Sequence, residues 1–444
     1  MIVPTTFTED ALMSTTIANI SHYLQELLIR DADRLGRESG FIQRQRKLSG
    51  ASFVQSLVFG WQANPQASLE ELCQSAAVCG VNISPQGLQE RLNSPQAAQF
   101  LQRMLEQSLT YLVVGHSGQM PCLRQFKGVY LQDSTTLALP TSLATLWRGK
   151  GNQTGKKAGL KVQTVFDYQG GHLHLSLASA AAHDCPLQTV DLPAGSLRLA
   201  DVGYFKVQVF ERLNQRGVWW LTRLPARAGL WVQNRVVHIA TWLAQTCPTD
   251  EVDMRVELTA QRFRCRLIAR RVPAEIAAQR REQVRDAAKD RPHQLRPETL
   301  ALCDWTVMVT NLAPEQLSPA EALILLRLRW QIELLFKLWK QTFSLDDWRT
   351  ENPWQILSEV FAKLLLAVLQ HWFLLLGCWG ELDRSLVKAS LVLRKHAFHL
   401  ASVLTHLPSL ILALQTILPA LTRCAVQKRK ARPATFQLLA RAFP

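Results

Sequence analysis

LRLRWQIELLFKLWK, residues 326–340, is built almost wholly of Leu, Trp, Ile and Phe, yet it carries Arg329, Glu333, Lys337 and Lys340. Read as one continuous helix at 100° per residue, it places Arg329 and Glu333 about 40° apart and Glu333 and Lys340 about 20° apart, so the four polar groups share one stripe. Leu328, Ile332, Leu335 and Trp339 lie on the flanks that a helix buries against a sheet. A carboxylate held between cations on so apolar a helix either escapes to water or lines a site. SPAEALILL (318–326) opens the helix, with Ser318 as cap and Pro319 at the first helical position.

Upstream of this helix the texture is that of strands. GVYLQDSTTLAL (128–139), GLKVQTVFDY (159–168) and GHLHLSLASA (171–180) are short runs bounded by Gly, and SLRLADVGYF (196–205) is an apolar run that ends in Asp201. A helical stretch and VWWLTRL (218–224) follow. Residues 225–300 interrupt the pattern: GLWVQNRVVHIATWL (229–243), DMRVELTA (253–260) and RFRCRLIARRV (262–272) read as further strands, and a charged helix runs from Pro273 to Lys289. DWTVMVTNL (304–312) resumes the sheet. The expected architecture is mixed α/β: a helical region at 1–120, a sheet-bearing domain at 121–345 with a β-rich insertion at about 225–300, and a helical region at 346–444.

Composition narrows the function. At 444 residues and 48% hydrophobic content the chain can build about three cored domains, which excludes a disordered protein. A net charge of +15 and a pI near 9.7 favour a polyanionic partner, nucleic acid first. The start, MIVPTTFTEDALM, has neither a basic nor an apolar leader segment, so synthesis is expected to end in the cytoplasm. FAKLLLAVLQHWFLLLGCW (361–379) contains Lys363, Gln370 and His371 and reads as a buried helix, not a membrane span. The nine cysteines are scattered without zinc-ligand spacing, so reduced, buried thiols are expected.

Within the amino-terminal region, SLEELCQSAAVCGVNISPQGLQERLN (68–93) carries the punctuation of two short helices: Ser68 with Glu71 three residues on, Gly80 as a stop, and Ser84 before Pro85. That is a helix-turn-helix pattern at about 68–92, whose second helix would present Gln86, Gln89 and Arg91 to the major groove. Two packed helices of an ordinary bundle fit the same pattern.

Three carboxylates remain. Asp133 sits inside the first strand, where a bare carboxylate is costly to bury; Asp201 follows another apolar strand; Glu333 lies on the opening helix. Two strands and a helix contributing one carboxylate each can hold two divalent ions for attack on a phosphodiester. Asp167, Asp184, Asp191 and Asp304 are competitors that spacing alone does not rank, and Glu333 with Arg329 and Lys337 equally fits a surface salt-bridge ladder.

RLRWQIELLFKLWK, with Arg329, Glu333 and Lys340 at the intervals Arg, three residues, Glu, six residues, Lys, resembles the third catalytic region of the bacterial insertion-sequence DDE transposases of family four. QDSTT (132–136) resembles the first region and LADVGYF (199–205) the second. The resemblance implies an RNase H-like catalytic fold and cut-and-paste DNA transposition. Asp133, Asp201 and Glu333 would hold two Mg²⁺ ions, with Mn²⁺ as a substitute, and Arg329, Lys340 and Lys337 would grip phosphate at the transposon end. It also implies terminal inverted repeats and target DNA as partners, a homodimer in the active complex, no membrane, and a cytoplasmic enzyme that joins the nucleoid when bound to DNA. Trp305 matches by its spacing a tryptophan that stacks on a base flipped out near the cut. One position departs: Leu326 stands where the family has Tyr. Two rival readings are a metal-dependent nuclease of the same fold without strand transfer, and a DNA-binding protein whose catalytic domain has decayed. The basic runs Arg262, Arg264, Arg266, Arg270, Arg271 and Lys428, Arg429, Lys430, Arg432 offer further phosphate contacts or solvated faces.

Overall fold

The computed structural model describes residues 16–44, 48–115, 123–150, 157–182, 191–246, 249–289, 296–381, 383–426 and 437. The chain divides into two compact units: a helix-rich unit of Met1–Gln119, Ser134–His183 and Ile332–Phe436, and a sheet-rich unit of Met120–Asp133, Asp184–Gln331 and Gln437–Pro444. The described strands, in chain order, are β1 (Val129–Leu139), β2 (Ala158–Asp167), β3 (Leu173–Ser179), β4 (Leu197–Ala200), β5 (Trp219–Arg223), β6 (Leu230–Val232), β7 (Arg235–Val237), β8 (Glu251–Leu258), β9 (Phe263–Arg271) and β10 (Trp305–Thr310).

In the sheet-rich unit the strand order is β1-β4-β5-β10-β9-β8-β6-β7. β4 runs parallel to both β1 and β5, and its four residues are all buried, as a central strand covered on both faces requires. The helix Val207–Gln215 makes the crossover from β4 to β5. β10 is also buried throughout and pairs antiparallel with β5 and β9. The long β8–β9 hairpin lies within residues 225–300.

Two readings of local structure need correction here. The stretch 229–243 is not all strand. It folds as the β6–β7 hairpin, with Gln233 and Asn234 at positive φ (49° and 63°) as a two-residue type I′ turn, and then enters the helix Ile239–Thr246. Ile239, Ala240 and Leu243 are buried at helical spacing, so tertiary burial overrides the β-preference of Ile239, Thr241 and Trp242. The helix read as continuous through residues 326–340 is also broken. Pro319–Leu328 ends with Arg329 as its C-cap, and Trp330–Phe343 starts at the next residue.

In the helix-rich unit, Pro353–Gly377 is the central element. It is long and apolar enough to cross a membrane by length and composition, but 94% of its most apolar window is buried inside the protein, where it packs against the helices Pro95–Ser108 and Gly50–Ala63. This agrees with the reading of 361–379 as a core helix. β2 and β3 pair antiparallel in the same unit. The amino-terminal punctuation is used as written. Ser68 and Glu71 form a reciprocal capping box on Leu69–Val78, Gly80 adopts φ 80°, and Ser84 caps Pro85–Leu92.

Candidate active site

Parallel pairing of β1 with β4 sets the geometry. Leu131 is in register with Leu199 and Gln132 with Ala200, so Asp133 and Asp201 each come one residue after the last pair, at the same end of two neighbouring strands. Asp201 precedes a 3₁₀ turn, Val202–Tyr204, yet its side chain caps nothing there. The carboxylate is therefore turned to another task. Arg329 supplies the partner: its Nη1 donates to Asp133 Oδ2 at 2.9 Å, and its Nη2 lies 3.8 Å from Asp201 Oδ1. One guanidinium, 7% exposed, thus stands against two carboxylates that adjacent strands deliver together.

The competing carboxylates are occupied elsewhere. Asp191 is ion-paired with Arg216 and Asp304 with Arg281. Asp167 ends β2, accepts from the Gln169 backbone N–H at 3.0 Å, and is pushed up to about 6 by burial. Asp184 lies outside the described residues, as do Lys428, Arg429, Lys430 and Arg432.

The helix Trp330–Phe343 carries Glu333, Lys337 and Lys340. Ile332, Leu335, Phe336, Leu338, Trp339 and Phe343 are its buried residues, while Glu333 and Lys340 are half-buried and Lys337 is exposed. Lys340 donates from Nζ to the Thr136 carbonyl at 2.9 Å and lies 3.2 Å from Asp346. Trp330 (47% exposed) and Leu334, one turn apart, also face solvent. Sequence reasoning passed over both, although an unburied Trp beside a charged stripe was a readable signal.

Asp133 and Asp201 fit a divalent cation by donor chemistry: hard carboxylate oxygens are what Mg²⁺ takes, with one or two from protein and the rest from water and substrate phosphate. The position is already one at which these oxygens meet a cationic group, Arg329. No group of three or more His, Cys, Asp or Glu poised to hold a metal occurs among the described residues.

The remaining sequence candidates sit as follows. Trp305 opens β10 but is only 6% exposed, and the Arg271 guanidinium covers its ring at 4.7 Å, so stacking on a base would require that arginine to move. Gln86, Gln89 and Arg91 are exposed on Pro85–Leu92, which buries Leu88 and Leu92 instead. Gln89 also lines a cavity of about 250 Å³ with Trp61, Arg349 and Lys363. Leu326 is buried and faces away from water. The insertion arginines are paired across the β8–β9 hairpin: Arg262 and Arg264 with Glu257, Arg266 with Asp253, Arg270 with Glu251 and Arg271 with Asp250.

Comparison with known proteins adds to the geometry. The family described as "Transposase DDE domain" matches residues 124–369. The chain is 27% identical over 365 residues to "Transposase for insertion sequence element IS231F" of Bacillus thuringiensis subsp. israelensis, covering 75% of each. It is 26% identical to the IS231C transposase of subsp. berliner, covering 75% of this chain and 74% of that one. It is 21% identical to "Transposase for insertion sequence element IS1151" of Clostridium perfringens, covering 77% of each.

Proposed function

The chain belongs to the transposase DDE-domain family and is a transposase, and from that premise we propose that it cuts its element free at the terminal inverted repeats and joins the ends to target DNA. The catalytic domain in this reading is RNase H-like and spans residues 121–345, with the β-rich insertion at about 225–300. Residues 1–120 read the DNA end through the helix-turn-helix, and 346–444 support a homodimer. The observation that carries the reading is the pair Asp133 and Asp201, delivered by adjacent parallel strands and met by a single arginine. Glu333, four residues after Arg329 in the chain, is the third carboxylate.

The family acts with divalent metal ions, and we assign two Mg²⁺, replaceable by Mn²⁺, to Asp133, Asp201 and Glu333. Bound there, they supply charge neutralisation at the attacking and leaving oxygens of the phosphodiester. Arg329, Lys337 and Lys340 hold phosphate oxygens by charge-assisted hydrogen bonds and so fix the strand in line. Gln86, Gln89 and Arg91 present donors and acceptors to base edges, and Trp305 remains a candidate for base stacking once Arg271 withdraws. The enzyme works in the cytoplasm, on the nucleoid.

The test is cleavage of an inverted-repeat duplex with Mg²⁺. Asp133→Asn, Asp201→Asn and Glu333→Gln should each lower the rate by about 10³-fold or more, the scale of losing a preorganised charge contact, with end binding retained. Activity within tenfold of wild type would remove that residue from the site. Cleavage without joining to target DNA would recast the enzyme as a nuclease.

A further inference from the structure

Arg198 poses a problem in the middle of β4. It is 2% exposed, and among the described residues its guanidinium has a neutral hydrogen-bond acceptor: Nε donates to Gln132 Oε1 at 2.8 Å and Nη2 donates to the same oxygen. Burial pushes the guanidinium down to about 10, and the neighbouring Tyr204 phenol works in the opposite direction. An apolar side chain of equal volume would be cheaper to bury than this cation. Packing alone therefore does not account for it.

What the guanidinium connects is informative. Side chains alternate along a strand, so Gln132 and Arg198 lie on the face of the sheet opposite Asp133. Gln132 is the chain neighbour of Asp133 on β1. Tyr204, 1% exposed, closes the turn begun by Asp201, its backbone N–H donating to the Asp201 carbonyl at 3.0 Å. Arg198 registers with Tyr130, so it reaches Gln132 diagonally across the β1–β4 pair.

We propose that Arg198 is a positioning residue: its guanidinium, bonded to Gln132 beside Asp133 from the strand that leads into Asp201, fixes from behind the separation of the Asp133 and Asp201 carboxylates. The proposal rests on the reading of those two aspartates as metal holders. Groups that orient ligands from behind are worth roughly 10- to 100-fold in metal affinity or activity. Two carboxylates that drift apart bind a small, geometrically strict cation poorly even when both remain present.

The experiment uses the full chain and three measurements: Mn²⁺ binding by calorimetry without DNA, thermal midpoint, and kcat against KM for cleavage of a repeat duplex. The paired variant Arg198→Met with Gln132→Met leaves no donor or acceptor stranded between the two positions, so it should fold. It is expected to bind Mn²⁺ about 10- to 100-fold more weakly and to lose kcat with KM for DNA little changed. Arg198→Lys with Gln132→Glu, which restores a charged bridge, should recover part of the metal affinity. Wild-type Mn²⁺ affinity in a folded paired variant would overturn the proposal and make Arg198 a structural filler. Should the paired variant fail to fold, Arg198→Lys alone decides, since it keeps the charge and loses the forked donor: a folded protein that binds Mn²⁺ more weakly than wild type supports the proposal, and wild-type affinity overturns it. Asp133→Asn and Asp201→Asn are the controls. If they leave Mn²⁺ binding intact the metal assignment itself fails, whereas their loss beside an unaffected paired variant refutes only the role of Arg198.

Discussion

Two sets of arginine–carboxylate contacts in the sheet-rich unit use the same chemistry to opposite ends. Along the β8–β9 hairpin, Arg264 pairs with Glu257, Arg266 with Asp253, Arg270 with Glu251 and Arg271 with Asp250, each cation taking an acid from the facing strand. At the ends of β1 and β4 one guanidinium, Arg329, faces Asp133 and Asp201 together. The hairpin, residues 250–271, sets six arginines against four acids, whereas at the strand ends two carboxylates face this one arginine. In the proposed reading a divalent cation has electrostatic work to do at the second place and none at the first. An arginine-rich segment is thus no guide to phosphate binding until its acids have been placed.

The largest expected effect that sharpens this contrast is at the one buried rung. Arg266 is 5% exposed, and besides Asp253 its Nη1 donates to the Leu317 carbonyl at 2.7 Å. Arg266→Met strands a carboxylate and the carbonyls of Leu312 and Leu317, so the thermal midpoint should fall by the equivalent of about 3 kcal/mol. Added Mg²⁺ should restore none of it. A midpoint that recovers with Mg²⁺ would place a metal on the hairpin and erase the difference between the regions.

Near Arg329, Leu326 is the next test. A Tyr in its place lies in the core of this unit and not in the polar stripe, because Leu326 is buried at 6% exposure. Leu326→Tyr should destabilise by about 2 kcal/mol through overpacking, without tightening the complex with a cleaved end. Tighter end binding at an unchanged midpoint would show that the position is open to DNA.

Arg329→Met should show the third and most diagnostic shift. Asp133 is largely buried and loses its 2.9 Å partner, while water softens the repulsion at the more exposed Asp201, so about 2 kcal/mol is expected in chelator. Here Mg²⁺ should recover the midpoint, because a ligand that binds only the folded state stabilises it by mass action. Equal midpoints with Mg²⁺ and with chelator would mean that the aspartates take no metal once the arginine is gone.

These contrasts also mark what the sequence could and could not reveal. The caps at Ser68, Ser84 and Ser318 were legible because capping is local, and each appears where it was read. Asp133 and Asp201 were ranked above Asp191 and Asp304 by resemblance; their shared guanidinium depends on the β1–β4 register, which no single stretch encodes. The break at Arg329 was not legible, since Arg is a good helix former and neither Gly nor Pro marks the spot. It coincides with the anchoring of that side chain on Asp133. LRLA lies in a run read only as apolar, and nothing local says where its arginine goes; its place between β1 and β5 covers both faces and encloses Arg198. The arginine ladder was illegible for a similar reason: its acids lie about one strand away, and only the hairpin register brings Asp253 opposite Ile268 and beside Arg266.

The smallest expected effect tests the general claim most directly. The Arg264 side chain is 90% exposed and 3.5 Å from Glu257, a contact worth little in water, so Arg264→Ala should move the midpoint by less than about 0.5 kcal/mol. Its effect on DNA binding separates two physical pictures. A lysine or arginine that neutralises a phosphate releases a counterion, and each such contact adds about 0.9 to the slope of log affinity against log salt. If the hairpin arginines serve their own acids, removing Arg264 leaves that slope as it was. Lys337, exposed on the helix that carries Glu333, is the opposite case, and Lys337→Ala should lower the slope by close to one unit. Titrating both variants against the same repeat duplex at several salt concentrations gives the comparison in one experiment. A slope that falls for Arg264→Ala and not for Lys337→Ala would move the phosphate grip from the carboxylate-bearing helix to the insertion, and the cross-strand acids would then have to be read as partners released when DNA binds.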